Sequence, residues 1–263
     1  MTDGKALIRR RLRAALVACA SIATAFLVWQ LLTLFVFNPV LVPSPVAVAS
    51  EALAMIRTHE LFGHVAVSMK RIIVGFVAGS TTGIFLGLLI GRIRIVQEAL
   101  DPIIELIRPI SPVAIIPLSI LWFGIGEMSR YFIIFYATVV VVTLNTAAGV
   151  SSLPVSRIRA AVSLGAGELK MFIHVVLPSA VPYILTGMRI AIGFSFMGVV
   201  AAEMIGADSG IGYLIMQSRL MVQPERMFVG LLSLSVVGLL TDQVFRISVN
   251  WATRRFTQYQ ERA

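Results

Sequence analysis

The side chains that ordinarily do chemistry are few in this chain, and their spacing assembles none of the familiar constellations. His59 and His64 are five apart, about 140° around a helix, so they share no face for a metal and read as two solvated histidines. Cys19 is the single cysteine, which excludes an internal disulfide framework and a cysteine-rich metal site. No His-Glu-x-x-His zinc motif is present, and no Ser/His or Asp pair occupies matched depths of the apolar stretches. None of Lys5, Lys70 and Lys170 lies in the Gly-x4-Gly-Lys-Ser/Thr loop that cradles ATP phosphates. Glu203 and Asp242 are the acids embedded in strongly apolar surroundings, and Asp242, four residues before Arg246, is placed to pair with it. The expectation is a chain with no catalytic residues, metal or bound cofactor of its own, whose function lies in how its helices are arranged and coupled.

Three sets of residues suit such a mechanical role. The first is the 151–182 segment, with Arg157, Arg159, Glu168, Lys170 and His174. It reads as two short helices meeting at a bend near Gly165, the first bearing small Ala160 and Ala161, the second stopped by Pro178. Such a knob suits docking to a partner and lying on a lipid surface equally. The second set is Gly75, Gly79, Gly83, Gly87 and Gly91, four overlapping GxxxG units that form a groove for a closely approaching helix, either within the chain or at a subunit interface. The third is Pro109, Pro112 and Pro117, three prolines in nine positions that make an irregular entry into the membrane. Irregular backbone at that depth is tolerated where protein or a water-filled cavity surrounds it, so these prolines are either a pathway or gate element or a simple helix stop. Arg189, six residues inside an apolar stretch, joins them as a pathway candidate, at a depth from which it can snorkel to the headgroups.

The elements that must position these residues follow from composition. Of 263 residues 58% are hydrophobic and 13% charged, with a mean hydropathy of +0.91. A soluble domain has about a quarter of its residues charged, so this chain cannot cover a water-facing surface and must use lipid as its solvent. About 20 apolar residues make one crossing, and about six crossings use up most of the chain. The net charge of +9 and pI near 10.6 come without a basic stripe interleaved with aromatics, so nucleic acid is not the partner. Residues 1–13 form an N-terminal tail and 14–37 the first crossing, uncharged for longer than a cleavable signal core. Asn38-Pro39 and Pro43-Ser44-Pro45 end it, and 38–70 is an amphipathic connection outside the membrane. Residues 71–249 hold the remaining crossings, at 72–91, in the proline-rich stretch after Arg108, and at 131–156, 183–205 and 227–249, and 250–263 is a second tail.

Orientation follows from Lys and Arg. With six crossings both tails share a side with the connections at 92–111 and 151–182, and this side carries fourteen basic residues against five on the other. The positive-inside rule places the tails and the 151–182 loop in the cytoplasm and 38–70 on the opposite side of the membrane.

The 151–182 loop resembles the EAA motif of ABC importer permeases, Glu-Ala-Ala, three residues, Gly, nine residues, Ile, one residue, Leu-Pro. Ala160, Ala161, Gly165, Leu177 and Pro178 stand at matching positions, Val175 replaces Ile, and Arg159 stands where the family has Glu, reversing that charge. The resemblance extends over nearly the whole chain and is closest to the nitrate, sulfonate and taurine branch, through Pro43-Ser44-Pro45, Ser68-Met69-Lys70-Arg71, Leu121-Trp122-Phe123-Gly124-Ile125-Gly126-Glu127, Leu144-Asn145-Thr146, Ala202-Glu203 and Gly210-Ile211-Gly212-Tyr213. It implies an all-α membrane protein with the type I importer, MetI-like, permease fold. It also implies a second copy of the chain, two cytoplasmic ATPase subunits that bind ATP and Mg, and a periplasmic or lipid-anchored binding protein that delivers a small anion. The Ala160–Pro178 loop would be the coupling element in an ATPase cleft. The competing expectation is a secondary transporter or channel, which would usually place paired acids or histidines at mid-membrane.

Overall fold

The structure is a computed structural model that describes residues 3–35, 38 and 41–257; the ends of both tails and the last two residues of the expected first crossing lie outside the described residues. It is helical throughout the described elements, and the chain divides into two compact units, one comprising residues up to Leu61 with Ile215–Leu231, the other Phe62–Leu214 with the residues from Leu232 on.

In the first unit, α1 (Asp3–Phe35) contains the apolar stretch Ala23–Phe35. The proline-serine-proline break starts a new helix, α2 (Pro45–Arg57): Pro45 takes the first helical position, where no amide donor is needed, and the Ser44 hydroxyl accepts from the Ala47 amide at 3.2 Å. Arg226 binds the Glu60 carboxylate and lies 3.4 Å from that of Glu51, while Trp29 stacks on Phe228 with ring centroids 5.5 Å apart.

The second unit is built on α3 (Glu60–Arg92), α6 (Glu127–Ser151), α9 (Leu177–Met204) and, after the short α10 (Ile211–Leu220), α11 (Pro224–Thr257). Among the described residues four helices are long and apolar enough to cross a membrane: Glu60–Arg92, Glu127–Ser151, Glu168–Met204 and Pro224–Val249. The glycine row of α3 lies on α6. A Cβ on Gly75, Gly79, Gly83, Gly87 or Gly91 would fall 2.6, 2.7, 2.9, 2.5 or 2.4 Å from the side chains of Ile134, Thr138, Val142, Thr146 and Val150 in turn. Both sequences advance together, so α3 and α6 run parallel. Close backbone approach of this kind replaces the hydrophobic drive that helices lack in lipid. Helix α9 packs on α6 in the opposite sense, with Gly149 against Tyr183, Gly187 against Asn145, and Gly198 near Ala137. Ile72, Ile134, Ile192, Phe196 and Val199 form the core between these helices.

Parallel α3 and α6 require the chain to cross back between Arg92 and Glu127. It does so with α4 (Arg94–Ile107), an irregular stretch through residues 108–115, and α5 (Ile116–Phe123). Eight residues give α5 a length of about 12 Å, too short to cross alone. The third crossing is thus a composite, not one helix.

Several boundaries differ from the sequence reading. The expected 38–70 connection ends inside α3, which begins at Glu60 just after His59 turns the chain at φ 61°. Pro178 does not stop a helix. Its missing amide and its ring are absorbed by a wider turn over Phe172–Val176, in which the Leu177 amide bonds the Phe172 carbonyl, and the helix continues from α8 (Glu168–Met171) into α9. Asp242 pairs with Arg189 across helices, at 2.8 and 3.1 Å, and not with Arg246 four residues on. This bond also gives Arg189 a partner within the bundle.

Candidate functional site

At one end of the second unit the chain leaves α6 and builds the 151–182 knob. Helix α7 (Val155–Ser163) ends in a Schellman motif. Gly165 at φ 78° donates to the Val162 carbonyl at 2.9 Å, and Ala166 donates to the Ala161 carbonyl at 3.0 Å. An L-residue disfavours that left-handed backbone, which is the physical reason for glycine at the bend. The inner side of the knob is anchored: Leu153, Val176, Ala180 and Ile184 pack with Val150, and Ile158, Phe172 and Val175 cover them. Ala161 is buried, whereas Arg159, Ala160 and Gly165 are exposed and Leu177 and Pro178 half-buried. Leu164 and Leu169, on either side of the bend, are 88% and 71% exposed. Among the described residues Arg157, Arg159, Glu168 and Lys170 make no ion pair with this chain. The knob therefore presents apolar side chains ringed by uncommitted charge, on a base that is fixed.

At the far end of the same bundle is a buried polar clamp. Arg71, 1% exposed, donates to Glu203 Oε1 at 2.8 Å, to the Ser209 carbonyl at 2.6 Å and to both oxygens of Glu127. Glu203 also accepts from the Ser68 hydroxyl at 2.8 Å and the Gly212 amide at 2.9 Å, and Ser68 accepts from the Ile211 amide at 2.8 Å. Arg130 joins Glu127 to the Gly206 carbonyl, and the Gly210 amide donates to His64 Nδ1 at 3.1 Å. The sequence reading of His64 as a solvated side chain is corrected here: it holds the 206–212 turn. Two arginines against two glutamates leave the clamp neutral, as burial requires.

Between these ends lies a cleft of ≈ 470 Å³ at the middle of α6 and α9, closed on one side by the irregular 108–113 segment. Pro109 and Pro112 line it. Pro117 does not; it sits in the first turn of α5, where a missing amide donor is harmless. Arg189 does not line the cleft either. The Tyr136 hydroxyl lies 3.0 and 3.1 Å from the carbonyls of Ile107 and Ile110, and the Ile107 carbonyl also accepts from the Ile110 amide at 3.0 Å in the turn that follows the helix. Sequence reasoning missed Arg108 and Asn145 as cleft residues. Arg108 counted as one more loop charge, and only the parallel course of α3 and α6 brings it back to mid-bundle.

Among the described residues no three His, Cys, Asp or Glu side chains come together as a metal site.

Comparison with known proteins agrees with this arrangement. Residues 79–254 match the family described as binding-protein-dependent transport system inner membrane component. A putative ABC transporter permease protein of Methanocaldococcus jannaschii is 39% identical over 229 residues, covering 85% of this chain and 86% of that protein. The taurine transport system permease protein of Escherichia coli is 36% identical over 219 residues, covering 81% and 80%. A crystal structure of an amino acid ABC transporter with histidines superposes with a TM-score of 0.61 at 18% identity, over 77% of this chain and 97% of that one, which supports the fold.

Proposed function

The chain belongs to the family of binding-protein-dependent transport inner membrane components, a multi-pass ABC importer permease, and from that membership we propose how it works and what it carries. The observation that carries the proposal is the helical continuity from the exposed knob at Glu168 to the buried clamp at Glu203, within one 37-residue helix. At 1.5 Å per residue it is a lever of about 55 Å. Cytoplasmic ATPase subunits that bind ATP and Mg grip Leu164, Leu169 and the charges around them. Their closure moves α7 and α8, and the motion passes along α9 to the 206–212 turn at the opposite face, where a binding protein unloads. This is rigid-body switching, each state having its own contacts. Two such knobs, from two copies of the chain, match two ATPase subunits.

In this reading the knob and both tails face the cytoplasm and the clamp faces the periplasm of a bacterial inner membrane. The cargo is a small anion of the sulfonate kind, taurine being named for the E. coli relative. Nitrate is the inorganic alternative within the branch that the sequence resembles. The test is reconstitution of the chain with its ATPase and binding protein in proteoliposomes, with labelled taurine. ATP-dependent uptake that requires both partners is the expected result. Uptake driven by an ion gradient without ATP would instead establish the secondary-transporter reading.

A further inference from the structure

We propose that the mid-bundle cleft is a binding station for a small organic anion, and that Arg108 is the cation that receives it. This rests on the reading of the chain as an anion importer and adds the residues that touch the cargo.

The depth of the cleft is fixed by its walls. Tyr136 and Asn145 are the tenth and nineteenth residues of the 25 in α6, and Phe194 is the eighteenth of the 28 in α9. Residues 107 and 110 are held at that level by the Tyr136 hydroxyl. Arg108, exposed on this chain, therefore lines a cleft level with the middle of α6 rather than a loop beyond the end of the helix. A charge there is costly unless something compensates it; Arg71 is compensated by Glu203 and Glu127, and Arg189 by Asp242. Arg108 makes no ion pair among the described residues. It is also the single charged residue of the cleft lining. An anion that enters the cleft supplies the missing charge.

The remaining lining specifies what kind of anion. Ser111 and Asn145 add hydrogen-bonding groups; Asn145 spends one N–H on the Val141 carbonyl at 2.8 Å and keeps the other N–H and its carbonyl oxygen. Most of the remaining lining is apolar, Leu144, Phe194 and Met197 among it. One cation and a few hydrogen-bonding groups in an otherwise apolar cleft fit an amphiphilic anion, with its oxyanion head on Arg108 and a short hydrocarbon portion against the apolar side chains. A volume of ≈ 470 Å³ suits a solute of several heavy atoms better than a bare inorganic ion. Short alkanesulfonates have that shape and charge.

The first experiment reads the field in the cleft without requiring transport. In the full-length chain, with Cys19→Ser and Ser111→Cys, the new thiol is titrated with 2-sulfonatoethyl and 2-(trimethylammonio)ethyl methanethiosulfonate, each rate normalised to that with free 2-mercaptoethanol. The anionic reagent is expected to react about tenfold faster than the cationic one, the excess is expected to vanish in Arg108→Gln, and ethanesulfonate is expected to slow the reaction. Equal rates, an excess that survives Arg108→Gln, or a thiol that neither reagent reaches would each overturn the proposal. The second experiment uses the reconstituted complex. Arg108→Gln is expected to lower uptake of labelled ethanesulfonate about tenfold while leaving ATP hydrolysis intact, with Arg108→Lys recovering part of the loss. Unchanged uptake in Arg108→Gln would refute the station. A wild-type complex that imports nothing with ATP would refute the importer reading instead, and the labelling ratio would still decide the cleft.

Discussion

Arg71 and Glu203 stand 132 residues apart in sequence and meet as a 2.8 Å ion pair in which the two side chains are 1% and 0% exposed. The pair ties the start of α3 to the end of α9, and through Ser209 and Gly212 it ties both to the turn that follows. Removing one partner strands a buried charge. Arg71→Met or Glu203→Gln is therefore expected to destabilise the chain by about 3–5 kcal/mol. The double substitution Arg71→Met with Glu203→Leu is expected to cost less than the two singles added together. Thermal unfolding of the purified protein in detergent reads both, and simple additivity would mean that the pair is not an energetic unit.

The glycine row makes a graded prediction. Gly87→Ala puts a Cβ 2.5 Å from Thr146 Cβ and 2.7 Å from the Thr143 carbonyl oxygen, which is backbone and cannot rotate away. The helices must separate, with an expected loss of about 1–3 kcal/mol. Gly193→Ala meets nothing within 4 Å and is expected to be neutral or stabilising by up to about 1 kcal/mol through helix propensity. Parallel melts of the two variants compare them directly; equal shifts would contradict close packing of α3 on α6.

Gly165→Ala separates coupling from folding. A Cβ there meets nothing within 4 Å, so the penalty is the left-handed backbone alone, about 1 kcal/mol. Insertion and assembly are expected to survive, while taurine imported per ATP hydrolysed falls because the angle between α7 and α8 is no longer fixed. Gly165→Asn, which tolerates the left-handed region, is expected to retain more coupling. Wild-type coupling in Gly165→Ala would show that the bend does not transmit force.

Topology can be read directly. A cysteine introduced at Ala166 in a Cys19→Ser background is expected to resist a membrane-impermeant maleimide applied to intact cells and to react after permeabilisation. Labelling from outside would invert the orientation drawn from the fourteen-to-five distribution of basic residues.

The helical class and the places of the apolar stretches were legible in the sequence, because lipid demands apolar helices with every backbone group satisfied; their lengths were not. The bend at Gly165 was legible for the same local reason, since one residue's backbone conformation determines it. Boundaries that depend on continuation were not. Pro178 carries the same local signal in a helix that ends and in one that widens by a turn, and only the packing of Val176 and Ala180 against Val150 selects the second.

Residue types and their order alone specify a membrane permease of long apolar helices, a row of glycines at every fourth position and a charged loop bent at Gly165. The tertiary structure decided which charges compensate one another. Asp242 faced two candidate partners, and the antiparallel packing of α9 against α11 gave it Arg189 in place of Arg246 on its own helix. Glu203 and Arg71 found each other only because α3 and α6 run parallel and α9 returns antiparallel against them. The same parallel course forces the chain to cross back through residues 93–126 and carries Arg108 from an apparent surface loop into a cleft. Helical periodicity constrains the faces of one helix, but neighbours across helices depend on register and rotation, and those are set by close packing at Gly75 to Gly91, which composition alone does not encode.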